Sequence, residues 1–291
     1  RQPSVRGRPT KVPDSNIMTS YPVHVVFPGR LVFVGFGSIG QGVLPLILRH
    51  VGIQPDQVTI VTADEAGEKI AQEYGVRFVK HALTRQNFKN VLDPIVGRGD
   101  FLLNLSVDVS SIALIKFCWE KGSLYLDTCI EPWPGGYTDP TVSPARRTNY
   151  ALREEALTLK DSKQRAPTAV LTHGANPGLV SHLVKQALLN IASDTGVETV
   201  EPGTRADWAA LAHKLGVKVI HVAERDTQVG NRQKELNEFV NTWSVDGFVG
   251  EGCQPAELGW GSHEKNWPRD GKKHEFGRGS AIYLMQPGAA T

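Results

Sequence analysis

Leu31-Val32-Phe33-Val34-Gly35-Phe36-Gly37-Ser38-Ile39-Gly40 is the stretch that decides the fold. Four β-favouring apolar residues run into glycines at 35, 37 and 40, followed by apolar residues at 39, 43, 44, 46, 47 and 48. The pattern predicts a strand over Leu31–Val34 and a largely buried helix over Ser38–His50. Glycines at this spacing between a strand and a helix form the dinucleotide fingerprint. Gly35 permits the tight turn, Gly37 lets backbone approach a pyrophosphate, and Gly40 lets helix and strand pack closely. The N–H groups of Ser38, Ile39 and Gly40 and the positive helix end favour an anion there.

Outward from this turn, strands are predicted over 58–61, 76–79, 101–105 and 124–126. Helices over 64–74, 85–96 and 111–120 separate them, with Gly75 and Gly122 placed to end the first and last of these. Strands and helices in this alternation imply βαβ units and a parallel sheet covered on both faces. The expectation is a Rossmann-type, doubly wound α/β domain over residues 18–160.

Beyond about residue 150 the rhythm changes. A helix over 150–159, a strand over 169–171 and Gly174-Ala175-Asn176-Pro177-Gly178 come first. Helices over 179–191 and 208–215 and an apolar strand over 217–223 complete an α+β substrate domain, residues 161–291. The stretch 247–279, dense in Gly, Pro, Trp and charge, has no periodicity that assigns it.

Hydrophobic residues make up 40% of the chain and charged residues 21%, as in an ordinary globular protein. No apolar run approaches the ~18 residues of a membrane span. Three scattered cysteines, Cys118, Cys129 and Cys253, make neither a disulfide framework nor a CxxC metal site; a reducing cytoplasm and no metal are expected. The formal charge of +2 owes much to residues 1–17, where Arg1, Arg6, Arg8 and Lys11 face only Asp14. The remainder holds 28 basic and 29 acidic residues, with no basic stripe for nucleic acid. The aperiodic tail of residues 1–17, preceding Met18, reads as a disordered extension outside the native protein.

An NAD enzyme usually carries an acid about 20 residues past the fingerprint, at the end of the second strand. Val61 and Thr62 occupy that place here, and Asp64 comes just after. Asp64 reads equally as a ribose ligand or as a helix N-terminal acid. No arginine follows closely to hold a 2′-phosphate, which favours NAD over NADP. Asn104-Leu105-Ser106-Val107-Asp108 and Asp127-Thr128 end the fourth and fifth predicted strands, the edge where open α/β sheets bind ligands. Asp108, Glu131, Glu224 and Glu251 can meet at a junction of the two domains. Such a pocket suits a cationic substrate, whereas a keto acid would call for arginine. Trp243 is either a stacking surface for an ammonium group or plain core. His173 is a proton shuttle or a structural histidine, and His263 and Trp260 stay open in the same way.

At this point the sequence resembles the bacterial-type homospermidine synthases. The resemblance rests on residues 35–42, Asn104-Leu105-Ser106-Val107-Asp108, Glu131-Pro132-Trp133, Thr148-Asn149-Tyr150-Ala151-Leu152-Arg153-Glu154 and Gly174-Ala175-Asn176-Pro177-Gly178. It continues through Ala223-Glu224-Arg225-Asp226-Thr227-Gln228, Asn241-Thr242-Trp243-Ser244-Val245 and Pro255-Ala256-Glu257-Leu258-Gly259-Trp260-Gly261, so it covers residues 18–291. It implies a saccharopine dehydrogenase-like fold and an NAD-dependent transfer that joins two putrescines and releases ammonia. One amine-bearing carbon is oxidised to an imine, a second amine exchanges into a new Schiff base, and the hydride is returned. The family pattern puts Trp243 against the substrate ammonium, with Glu224, Glu251 and Glu131 on amines. Asn176, beside Pro177, falls between substrate and nicotinamide; Asp108 is counted with the acids on its strand-edge position alone.

The family chain runs well past residue 291. The expectation is therefore a truncated substrate domain, inactive and prone to aggregate by itself, from a protein that is a homodimer when complete. The alternatives are a saccharopine- or carboxynorspermidine-type reductive dehydrogenase, or an inactive NAD-binding fragment.

Overall fold

The computed structural model describes residues 21–160, 165–223, 225, 227, 230–240, 243–261 and 264–288. The 1–17 tail, Glu224 and His263 lie outside the described residues.

Strands β1 (Leu31–Val34), β2 (Val58–Thr62), β3 (Arg77–Lys80), β4 (Phe101–Asn104), β5 (Leu124–Asp127) and β6 (Ala169–Val170) form one sheet in the order β3-β2-β1-β4-β5-β6. All pairings are parallel. This is the doubly wound order, with its switch point between β1 and β4. Alternation along β1 shows why both faces are covered. Val32 and Val34 enter a core with Leu102, Leu114, Phe117 and Tyr125, while Leu31 and Phe33 enter another with Leu44, Ile60 and Ala71. A strand buried on both sides reads as an unbroken apolar run, as β1 does. The sheet extends past residue 160 to Val170, correcting the boundary drawn from sequence.

Helix α1 (Ser38–His50) has the predicted bounds, but it is not largely buried. Only Gly40 and Leu44 are, while Ile39 and Leu46 are 41% and 50% exposed. One stripe packs on the sheet and the opposite side is bare. Helix α2 (Glu68–Glu73) starts later than predicted because the Asp64 carboxylate accepts the Ala66 N–H at 2.9 Å, holding a turn there. Helix α3 (Phe88–Leu92) keeps only the middle of its predicted span. Helix α4 (Ser111–Lys121) is capped by Ser110 and ends in left-handed Gly122 at φ 73°.

Helix α5 (Asn149–Thr158) is capped by Thr148 and leads to β6. Helices α6 (Leu179–Asp194) and α7 (Arg205–Lys214) clasp a separate small core of Leu188, Ala192 and Leu211. The apolar run 217–223 is not a strand. It pairs with none of the described strands, and Val219 is 80% exposed; β-favouring residues make a strand only where a ladder partner exists. The unassigned stretch and its flanks hold helix α8 (Val245–Cys253) and an antiparallel sheet of β7 (Pro255–Gly259), β8 (Gly271–Lys273) and β9 (Ala281–Pro287), in the order β8-β9-β7. This sheet is tied to α5, since the Tyr150 hydroxyl donates to Phe276 O at 2.9 Å and accepts from Gly279 N at 2.7 Å. Among the described residues no helix is long and apolar enough to cross a membrane.

Candidate functional site

The glycine turn sits at the switch point. Gly35 N–H donates to Val61 O, and Leu105 N–H to Val34 O, each at 2.8 Å. Gly35 has φ 86°, and a Cβ there would lie 2.8 Å from the backbone of Ser106, so the chains leaving β1 and β4 touch. Gly40 is closed in by Phe36, 2.9 Å from where its Cβ would be. Gly37 differs from both: nothing lies within 4 Å of its Cβ position. The α1 N-terminus has no side-chain cap and no acid in its first turn, so its N–H groups are left for an anion.

Segments distant in sequence close on this turn. Ser38 Oγ donates to Trp243 O at 2.8 Å, fixing the approach to α8 against the start of α1. The Trp243 ring packs over Gly247, whose Cβ would fall 2.6 Å from it, and is 40% exposed. It is therefore not plain core. From the other side, the loop after β6 folds back on β5. His173 N–H donates to Asp127 O at 2.9 Å, and Gly174 lies against Thr128. Its neighbours Asn176 and Pro177 are exposed on that loop. The His173 ring meets that of His182 edge-on at 5.5 Å.

Of the four acids expected to meet, Asp108 and Glu251 act on Glu131, and Glu224 lies outside the described residues; Asp127 departs from its expected role. Glu131 is 8% exposed, its N–H held by Ser111 Oγ at 3.0 Å. Burial pushes its carboxyl up to about 7; a Cys129 hydrogen bond and the Asp108 N–H oppose the rise, and the charges of Asp108 and Glu251 add to it. Asp108, at φ 64°, is itself raised by burial and then by Asp246. Burial also raises Glu251. The charges of Asp108 and Glu251 thus both bear on Glu131, Asp246 bears on Asp108, and Glu251 is raised by burial alone. Asp246 was missed. Ser244 caps α8 by accepting Gly247 N–H at 2.9 Å, so Ser244-Val245-Asp246 is a helix start legible just before the unassigned stretch.

The exception is Asp127. Its side chain is 0% exposed and accepts Thr172 N–H at 2.6 Å and the Tyr125 hydroxyl at 2.8 Å. A carboxylate so enclosed cannot reach a ligand, which corrects its expected place among cofactor contacts. Thr128, Ser106 and Val107 do lie at the open edge. So does exposed Asp64, beside Glu65, which pairs with Lys80 at 2.7 Å.

Two family models match in succession, the saccharopine dehydrogenase NADP binding domain over residues 31–171 and the saccharopine dehydrogenase C-terminal domain over residues 174–291. The chain belongs to the saccharopine dehydrogenase family. Within the family it is 50% identical over 277 residues to a homospermidine synthase of Blastochloris viridis, covering 94% of this chain and 58% of that one. A homospermidine synthase of Mesorhizobium japonicum is 49% identical, covering 94% and 57%. The crystal structure of the Legionella pneumophila homospermidine synthase in complex with NAD superposes with a TM-score of 0.78 at 49% identity, over 91% of this chain and 55% of that one. The chain thus spans a little over half the length of these relatives.

Proposed function

We propose that this chain supplies the NAD-binding domain and part of the amine pocket of a homospermidine synthase, which condenses two putrescines with loss of ammonia. The observation that carries the reading is the action of the Asp108 and Glu251 charges on buried Glu131, together with the hydrogen bond that ties Trp243 to the uncapped start of α1. NAD fits the turn because the space at Gly37 is open and the first helical N–H groups have no side-chain partner. The exposed acids Asp64 and Glu65 at the β2 edge disfavour a 2′-phosphate and so favour NAD over NADP. When bound, NAD accepts a hydride and returns it.

The residues handle charge and protons. A diamine is dicationic near neutral pH, so one ammonium must lose a proton before its carbon can be oxidised. Glu131, balanced near 7, is placed to take that proton. Asp108 and Glu251 hold the remaining positive charge, and Trp243 offers its ring to it. Glu224 is assigned to the same amines by resemblance. A reductive dehydrogenase of carboxylated amines would need a cation in the pocket, and the charges acting on Glu131 are acidic. The same reading makes the enzyme a cytoplasmic homodimer, in which its three free cysteines stay reduced.

The test is product analysis of the complete gene product with putrescine and sub-stoichiometric NAD. Homospermidine in molar excess over NAD supports the reading; no homospermidine, or consumption of the cofactor, refutes it. Within that assay Trp243→Ala should reduce kcat/KM for putrescine on the order of tenfold, and Trp243→Phe less. A cation–π contact is worth roughly 0.5–2 kcal/mol, and phenylalanine keeps part of it. Two near-wild-type variants would show that the ring does not face the amine. Glu251→Gln should raise KM for putrescine and leave NAD affinity unchanged, as titration of both ligands will show.

A further inference from the structure

Beneath the carboxyl edge of the sheet lies a buried polar cluster. Asn104, Ser111, Tyr125 and Asp127 are 2%, 0%, 1% and 0% exposed. Tyr125 is the hub: its hydroxyl donates to Asp127 Oδ2 at 2.8 Å and accepts from Asn104 Nδ2 at 3.2 Å. Ser111 sits against Tyr125 and Asp127. Polar groups buried this deeply cost stability unless every member is satisfied, and an apolar layer would serve the sheet as well. The cluster's purpose is therefore to be sought in what hangs from it.

Three connections leave it, each toward a different wall of the site. Asn104 Oδ1 accepts Ser106 Oγ at 2.6 Å and Ser106 N–H at 3.2 Å, placing the chain that abuts Gly35. Asp127 Oδ1 accepts Thr172 N–H, which starts the loop carrying Asn176. Ser111 Oγ accepts the N–H of Glu131, the proposed proton acceptor. We infer that Tyr125 is a positioning residue: its buried hydroxyl locks the ends of β4 and β5 together, so that the Ser106 turn, the 172–178 loop and Glu131 keep one mutual geometry around cofactor and amine. The inference rests on NAD binding at the glycine turn. A hydride transfer punishes small displacements heavily, so a rigid support below the edge has a kinetic consequence that packing alone would not.

The experiment is Tyr125→Phe in the complete gene product, assayed well below its melting temperature. Phenylalanine fills the same space but leaves Asp127 and Asn104 each short of a partner. NADH affinity, read directly by fluorescence titration, should fall about fivefold to tenfold, and kcat should fall further, by about tenfold or more. Asp127→Asn supplies the second arm, because its amide oxygen can still accept from Thr172 while its NH2, in place of the accepting carboxylate oxygen, donates to the Tyr125 hydroxyl oxygen and keeps the link with its direction reversed. It should retain NADH affinity within about twofold, while Asp127→Ala should not. A Tyr125→Phe enzyme that melts lower but binds NADH and turns over as wild type overturns the inference, as does Asp127→Asn behaving like Asp127→Ala. If wild type itself fails to bind NADH, the cofactor reading fails first. If wild type binds and the variant is unchanged, only the inference fails.

Discussion

Gly37→Val is expected to weaken NAD binding on the order of 100-fold or more, at least about 2.7 kcal/mol, with the melting temperature left where it was. The two halves of this result have separate causes. No protein atom lies within 4 Å of the Gly37 Cβ position, so the valine meets no neighbour in the ligand-free protein. That same open space, at the start of α1, is where a pyrophosphate must approach backbone N–H groups, and a branched side chain there fills it. Gly35→Ala is the contrasting case. Its φ of 86° and the 2.8 Å approach to Ser106 strain any side chain, so the melting temperature should fall before binding is considered. Calorimetric titration with NAD beside thermal melts of both variants checks the pair. Gly37→Val binding as wild type would remove the cofactor from this turn.

The contrast also shows what was legible in the chain. Leu31–Val34 and Ser38–His50 were readable to the residue because both periodicity and glycine chemistry are local properties. The parallel sheet followed from repetition of that unit. The run 217–223 misled because its β-favouring residues state a propensity, while a strand requires a neighbour that sequence does not name. Asp127 misled for a related reason. Its position at a strand end is correct, but its partners are Tyr125, two residues before it, and Thr172, 45 residues on, which bury the carboxylate. Asp108, Glu131 and Glu251 could be gathered as a set by charge and topology. That Glu131 is the buried member follows from the packing of Ser111 and Cys129 around it, which no spacing reveals.

Glu131 carries the second large expectation, which joins stability to activity. Its carboxyl titrates near 4.5 when free of the fold and about 7 within it, so the native state binds the extra proton between those values. The sign follows from linkage. Below about pH 4.5 the acid is protonated in both states and imposes no penalty; as pH rises to 7 the folded protein loses stability, and above 7 the loss is constant. The shift corresponds to about 3 kcal/mol. Glu131→Gln resembles the protonated acid at every pH. It should match wild type in urea unfolding at pH 4 and exceed it at pH 8 by up to about 3 kcal/mol. The same variant cannot accept a proton, so homospermidine formation should fall ~100-fold to 10,000-fold. A gain in stability with a loss of turnover is the signature of a strained functional acid; a variant less stable than wild type at pH 8 would make Glu131 a structural anchor instead. The amine supplies the converse test. An ammonium entering among Asp108, Glu131 and Glu251 favours their charged forms, so putrescine binding near pH 6 should release protons. Titrations in buffers of different ionisation enthalpy will show that release in wild type and its reduction in Glu131→Gln, and equal release in both would assign the proton to another acid.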